Sequence, residues 1–179
     1  MLTNNKNEIR NAVKSIIVKD KKQKEAKIIN AILNLPSFLN AKSVGLFMAL
    51  KNEPNLKQVL EHCILNGKQA LLPVTEKEIK FALITNQTAF AKKRFGVLEP
   101  KHPLFAGGMP EIIFVPMVAY DKNLNRLGHG AGYYDRLLKG RNVLKIGVSF
   151  SDFEVCEVPC DFNDVKMDII INDKGVLCA

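Results

Sequence analysis

A chain of 179 residues fits one domain with a sizeable core, and its 47% apolar and 25% charged residues are those of a globular protein. No stretch approaches the roughly 20 apolar residues of a membrane span, residues Met1 to Lys6 lack the apolar core of a secretory signal, and Cys63, Cys156, Cys160 and Cys178 are too few and too irregular for a disulfide framework; a cytoplasmic protein is expected, with no membrane partner. The net charge of +8 suits anionic ligands, but the lysines are dispersed, aromatics are only 7%, and no nucleic-acid-binding motif is present, so nucleic acid is not the expected partner.

Two basic helices are expected from about Lys6 to Leu35, ended by Pro36. Lys6 and Arg10 stand four apart, so they share a helical face and can converge on one ligand; otherwise they belong, with Lys14, Lys19 and Lys21 to Lys24, to a solvated face. Ser43 to Leu50 reads as a strand, followed by a turn that carries Glu53. A helix and a second strand, Gly67 to Val74, precede a less regular stretch that includes Arg94 to Pro100. Glu111 to Tyr120 is a nearly continuous apolar run, the pattern of a strand buried on both faces. After the glycine-rich segment Asn125 to Arg136, a helix is expected from Tyr133 to Lys139, then strands at Lys145 to Phe150 and Ile169 to Asn172, the last opened by Asp168. Strands alternating with helices predict an α/β fold, a three-layer α/β/α arrangement around a mostly parallel central sheet, with ligands at the carboxyl ends of the strands.

The glycine-rich segment carries the most chemistry. Gly128, Gly130 and Gly132 alternate between a strand and a helix, where unpaired backbone N–H groups and the helix dipole favour an anion, and where glycine lets a ligand approach the backbone. The segment lacks the Lys-Ser/Thr end of a Walker A loop and the spacing of a Rossmann fingerprint. Arg126 is suited to bidentate phosphate contact, and Asp135 to a Mg²⁺ carried by that phosphate. Alternatively Asp135 is an acid in a helix's first turn and Arg126 a solvated surface charge. Cys156 and Cys160 are spaced like a metal pair, but no second pair completes a zinc site.

Val115-Pro116-Met117-Val118-Ala119-Tyr120-Asp121 and then Asn125-Arg126-Leu127-Gly128-His129-Gly130-Ala131-Gly132-Tyr133-Tyr134-Asp135 resemble the signature of the 5-formyltetrahydrofolate cyclo-ligase family, V-P-G-x-A-F-D followed by G-N-R-L-G-x-G-x-G-Y-Y-D. The likeness extends to Lys6-Asn7-Glu8-Ile9-Arg10, to the strand and turn ending at Glu53, to Arg94-Phe95-Gly96-Val97-Leu98-Glu99-Pro100, and to the closing run from Pro159 to Asp168. It implies ATP-dependent closure of 5-formyltetrahydrofolate, with or without a polyglutamate tail, to the 5,10-methenyl form, releasing ADP and phosphate. It also implies that Lys6, Arg10, Arg126, Leu127, Gly128, His129, Gly130, Ala131, Gly132, Tyr133 and Tyr134 hold ATP. Met48 and Glu53 would meet the folate, together with the stretch His129, Gly130, Ala131, Gly132 and Tyr133. Asp135 and Asp164 would hold Mg²⁺, and Arg126 and Tyr133 would stand at the reacting groups. A monomer or weak dimer is expected. The chain departs from the family pattern at Met117, where glycine is usual, at His129 and Ala131, at Pro54 and Leu56, and near Phe153.

Two other classes fit the same loop. A sugar-phosphate isomerase or deaminase would use it as a phosphate clamp, with an acid–base residue and no ATP. A non-catalytic anion-binding protein would bind in a strongly salt-dependent way and ignore Mg²⁺.

Overall fold

The computed structural model describes residues 5–93 and 96–178; Arg94 and Phe95, at the start of one family-like segment, lie outside the described residues, as do Met1 to Asn4. Helix α1 spans Lys6–Lys14, opened by Asn5, whose side chain accepts from Asn7 N, and it buries Ile9 and Val13 one turn apart. Helix α2, Lys21–Leu33, buries Ile28, Ile29 and Ile32. The expectation that Pro36 closes the helical region needs correcting: Pro36 is the first residue of a short helix α3, Pro36–Asn40, a position where its fixed φ and missing N–H cost nothing.

Then follow β1 (Ser43–Gly45), α4 (Lys57–Leu65), β2 (Gln69–Thr75), β3 (Ile79–Ile84), β4 (Phe90–Lys92), β5 (Leu98–Pro100) and β6 (Leu104–Phe105). The remaining elements are β7 (Ile112–Pro116), β8 (Ala119–Tyr120), β9 (Arg126–Leu127), α5 (Tyr133–Leu138), β10 (Leu144–Val148), β11 (Ile169–Asn172) and β12 (Gly175–Cys178). The main sheet runs β12-β11-β10-β7-β1-β2-β3-β6. Its centre, from β11 to β2, is parallel; β12 at one edge and β3 and β6 at the other are antiparallel.

Strand β7 shows why the core has two sides. Ile112 and Phe114 join the cluster formed with the helices α1 to α4, whereas Ile113 and Val115 join the cluster that includes Leu138 of α5. Successive side chains of a strand point to opposite faces, so a run with no polar residue is what a sheet covered on both faces requires. The expected strand through Tyr120 is shorter than predicted. Pro116 has no N–H to continue a ladder; the chain leaves the sheet there, and β8 and β9 form a separate antiparallel pair with Tyr120 opposite Arg126. Likewise the strand predicted to Leu50 is regular only to Gly45, although Leu46 N still bonds Leu71 O at 2.8 Å. The stretch expected to be irregular holds four short strands, of which β3 completes a hairpin with β2.

Candidate functional site

The β8–β9 hairpin is built on one buried acid. Asp121 is fully buried, and its Oδ1 accepts from Asn123 N at 2.9 Å and Asn125 N at 3.0 Å. Its Oδ2 accepts from Asn125 Nδ2 and from Val158 N, both at 2.9 Å. Four donors on one carboxylate offset the cost of burying it, and they fix the turn that delivers Arg126 to the start of β9. Arg126 is itself buried; Nη2 donates to Asp135 Oδ1 at 2.9 Å, and the guanidinium lies over the Tyr134 ring at 5.8 Å. Its Nε is buried with no partner among the described residues, which leaves a donor ready for an acidic ligand. A Cβ at Gly128 would sit 2.8 Å from Arg126 Nη1, so this glycine is what lets the loop pass over the guanidinium.

Helix α1 closes on the same loop. Arg10 Nε donates to Gly128 O at 2.8 Å and Nη1 to Asn7 Oδ1 at 2.7 Å. Gly130, with φ +103, approaches that side chain: a Cβ there would stand 3.4 Å from Arg10 Cζ. One turn earlier, Lys6 Nζ donates to Asp164 Oδ2 at 2.5 Å and to Asp161 Oδ2 at 2.7 Å. Burial pulls the Lys6 ammonium down, but the two carboxylate bonds outweigh it and hold the group above its ordinary value; the same bond from Lys6 holds Asp161 below the usual carboxylate range. The predicted shared face of Lys6 and Arg10 is therefore real, and both cations reach the site's loops. Each carboxylate expected to meet a metal is paired with a cation expected to meet phosphate: Asp135 with Arg126, Asp164 with Lys6. Among the described residues, no group of three or more His, Cys, Asp or Glu side chains is arranged to hold a metal.

Glu53 comes to the loop from the other side. It is buried; Oε1 lies 2.9 Å from His129 Nε2, and Oε2 accepts from Leu50 N at 2.8 Å. The Tyr134 phenol is pushed above its ordinary range by burial and then by the charge of Glu53, with Arg126 opposing; it stays protonated and able to donate. Met48 is half-buried against the core cluster, Tyr133 is half-buried under the Arg136 guanidinium at 5.1 Å, and Gly130 and Ala131 are exposed. Gly132, with φ +66, precedes α5, which is only six residues long and ends one residue before the predicted Lys139. So short a helix has little dipole to offer; the N–H groups of residues 128–131 donate to no acceptor among the described residues and are the loop's free donors.

Several departures from the family pattern are packing residues. Met117 is buried, and a Cβ on Gly147 would lie 2.6 Å from its Sδ, so the bulk at Met117 is matched by the lack of a side chain on the neighbouring strand. Phe153 packs beside Phe150, and Leu56 is buried in the same core. Sequence reasoning gave no role to Asp121 or Asp161. Asp121 stood at the end of the quoted V-P-x-x-A-Y-D run, and an acid closing an apolar strand four residues before Asn125 is the signal for such a turn.

Residues 3–173 match the model of the 5-formyltetrahydrofolate cyclo-ligase family. The chain is 28% identical over 175 residues to the 5-formyltetrahydrofolate cyclo-ligase of Haemophilus influenzae, covering 92% of this chain and 94% of that protein. Among solved structures it is similar to the 5,10-methenyltetrahydrofolate synthetase of Aquifex aeolicus, with a TM-score of 0.83 and 32% identity over 96% of this chain and 91% of that one. A synthetase of the same name from Mycoplasma pneumoniae shares the fold at a TM-score of 0.68 and 24% identity, over 94% and 96% of the two chains.

Proposed function

The chain belongs to the 5-formyltetrahydrofolate cyclo-ligase family, a family of ligases, and on that premise we propose that it closes 5-formyltetrahydrofolate to 5,10-methenyltetrahydrofolate at the expense of ATP, as a cytoplasmic enzyme. The observation that carries this reading is the double use of one loop: Gly128 O receives Arg10 of α1 while His129 receives Glu53. A phosphate-binding side and a pterin-binding side would then meet at the adjacent residues Gly128 and His129, the closeness that a phosphoryl transfer between the two ligands requires.

The formyl oxygen of the substrate is amide-like and leaves poorly as water. Transfer of the γ-phosphoryl group to that oxygen, with release of ADP, turns it into a phosphate leaving group. N10 then attacks the formyl carbon, the C–O bond breaks, and inorganic phosphate departs carrying the proton that N10 loses. The protein's work is positioning and charge stabilisation. Arg10, Lys6, the buried Arg126 and the unpaired loop N–H groups would cradle phosphate oxygens, and Arg126 Nε is the donor already desolvated for the purpose. Tyr133 and the uncharged phenol of Tyr134 would line the junction of the two ligands. Glu53 would accept two parallel hydrogen bonds from the pterin edge, with Met48 against the ring.

Mg²⁺ commonly binds through one or two carboxylates together with substrate phosphates, so the pair Asp135 and Asp164 fits a metal that arrives on the nucleotide, supplying charge neutralisation there. Asp135 and Asp164 would hold that metal, and Arg126 and Lys6, their present partners, would pair with phosphate oxygens instead, so that no charge would be left bare.

The test is the near-ultraviolet absorbance of the methenyl product in a mixture of protein, 5-formyltetrahydrofolate, ATP and Mg²⁺, with each component omitted in turn. Absorbance growing only in the complete mixture is expected. Growth without ATP, or none in the complete mixture, would overturn the reading.

A further inference from the structure

The His129 side chain is exposed, yet its Nε2 lies 2.9 Å from Oε1 of the buried Glu53. The imidazole therefore covers that carboxylate from the solvent side, while Leu50 N holds Oε2 from within. His129 makes no other side-chain hydrogen bond among the described residues. Glycine stands on either side of it, and Gly130 has φ +103, so the ring can swing out without dragging a neighbouring side chain. Gly128 O meanwhile stays tied to Arg10 Nε at 2.8 Å. His129 fills the first open position of the G-x-G-x-G run, so what it does to Glu53 belongs to this chain and not to the motif.

One proton sets the strength of this contact. A neutral imidazole offers the carboxylate an N–H alone, whereas an imidazolium adds the attraction of opposite charges. Histidine is the side chain that passes between these forms in the physiological range. The surrounding groups pull in both directions. Glu53, on the turn after β1, favours the imidazolium. Opposing it are Arg10 of α1, whose Cζ lies 3.4 Å from where a Cβ on Gly130 would stand, Arg126 of β9, Arg136 of α5, which donates to Ala131 O, and Lys51 on the Glu53 turn. Asp135 is paired with Arg126, and the Tyr134 phenol, kept uncharged by burial, adds no charge. Of these groups only Glu53 is bonded to the ring, so the contact is firmest when the ring is charged.

We infer that His129 is a proton-controlled latch over Glu53, shut by the imidazolium and loosened by the neutral ring, so that folate binding weakens as pH falls. The inference rests on the proposed function for the identity of the ligand. A pterin that pairs with Glu53 takes the oxygen that His129 holds. Once the ring has left the carboxylate, the proton that kept the latch shut passes to the buffer and imidazolium becomes imidazole. Proton and folate are then linked with opposite sign: affinity rises with pH until the ring is neutral in the free protein as well.

The probe is 5-formyltetrahydrofolate without ATP, so that nothing turns over, titrated calorimetrically into the full chain at about pH 6 and about pH 8, the span of histidine titration. Each titration is run in two buffers of different ionisation enthalpy. The dissociation constant should be about two- to fivefold larger at the lower pH, the yield of an ion pair with one exposed partner, and the buffer dependence there should show protons released on binding. His129→Gln keeps an uncharged donor to Glu53 and should bind equally at both pH values, with no proton released. His129→Ala uncovers Glu53; it should also bind equally at both, and at the lower pH more tightly than the wild type. A wild-type dissociation constant that does not change with pH, or a pH dependence that survives in either variant, would overturn the inference. Cyclisation by a chain whose folate binding ignores pH removes the latch and leaves the reaction standing. Folate binding that follows pH in a chain that fails to cyclise has the reverse meaning, and no folate binding removes both.

Discussion

Glu53 Oε1 and His129 Nε2 lie 2.9 Å apart across 76 residues of sequence. Both oxygens of the acid are thereby occupied, one by this imidazole and one by Leu50 N. A pterin that takes two parallel bonds from Glu53 must displace His129, which is 57% exposed and has room to turn aside. Replacing Glu53 by Gln keeps an oxygen for Leu50 N but offers the pterin an N–H where it needs an acceptor. Folate affinity should fall about 10- to 100-fold, the worth of a charge-assisted hydrogen bond, while nucleotide affinity stays within about twofold. Calorimetric titration with each ligand separately decides it; equal losses for both would remove Glu53 from pterin recognition.

The clasp between α1 and the Asp161–Asp164 turn should be insensitive to pH over a wide range. Lys6 is raised above 10.5, so its contribution is whole below the unfolded lysine value and is lost only as pH climbs through the raised one. Asp161 is lowered below 3.8, so its contribution is present above that value and is lost as pH falls through the lowered one. Once corrected for intrinsic rates, hydrogen-exchange protection of the α1 amides should be flat from about pH 5 to 9. It should drop at neutral pH in Lys6→Gln, and a pH-dependent protection in the wild type within that window would contradict the pairing.

Met117 and Gly147 should be coupled in stability. Met117→Gly removes a buried side chain and costs about 2–5 kcal/mol; Gly147→Ala drives a Cβ to 2.6 Å from the sulfur and costs about 1–3 kcal/mol by overpacking. In the Met117→Gly background much of the second cost should disappear, since two of the three nearest atoms to that Cβ, at 2.6 and 3.0 Å, belong to Met117. Urea unfolding of the four proteins measures the coupling; additive costs would mean that the two residues do not share the space.

Cys63 should be silent in the folded protein. It is fully buried in α4, and burial pushes its thiol up to about 11, whereas Cys156, Cys160 and Cys178 are exposed. A thiol reagent at pH 8 should label Cys156 and Cys178 in the folded protein, Cys160 more slowly because burial and then the charge of Asp164 raise its thiol, and Cys63 only in denaturant. Four equally fast thiols would show that α4 opens readily.

The apolar run of β7, the alternation of strands with helices, and the i, i+4 pairing of Lys6 with Arg10 were legible in the sequence because each is a local regularity with a fixed period. The antiparallel β3 and β6 were not: Lys80 interrupts a short strand beside a turn of charged residues, and what orders it is the ladder to β2, a partner no local pattern names. The resemblance to the family named Glu53, Arg126 and Asp135 as site residues, yet nothing local foretold that Glu53 meets His129 or that Asp161 shares Lys6 with Asp164, because those contacts join distant segments. Met117 shows a further limit. A residue where relatives carry glycine looks like an altered site until Gly147 is seen beneath it.

Lys6 is separated from Asp161 and Asp164 by 155 and 158 residues, so this clasp joins opposite ends of the described chain. Closing so long a loop is entropically costly and repays nothing until the last contacts form. On the function proposed above, the nascent polypeptide would gain its nucleotide site only once residue 164 has left the ribosome and the parallel sheet has set. Half-made chains would then sequester neither ligand, and the ability to bind them would report that folding has finished.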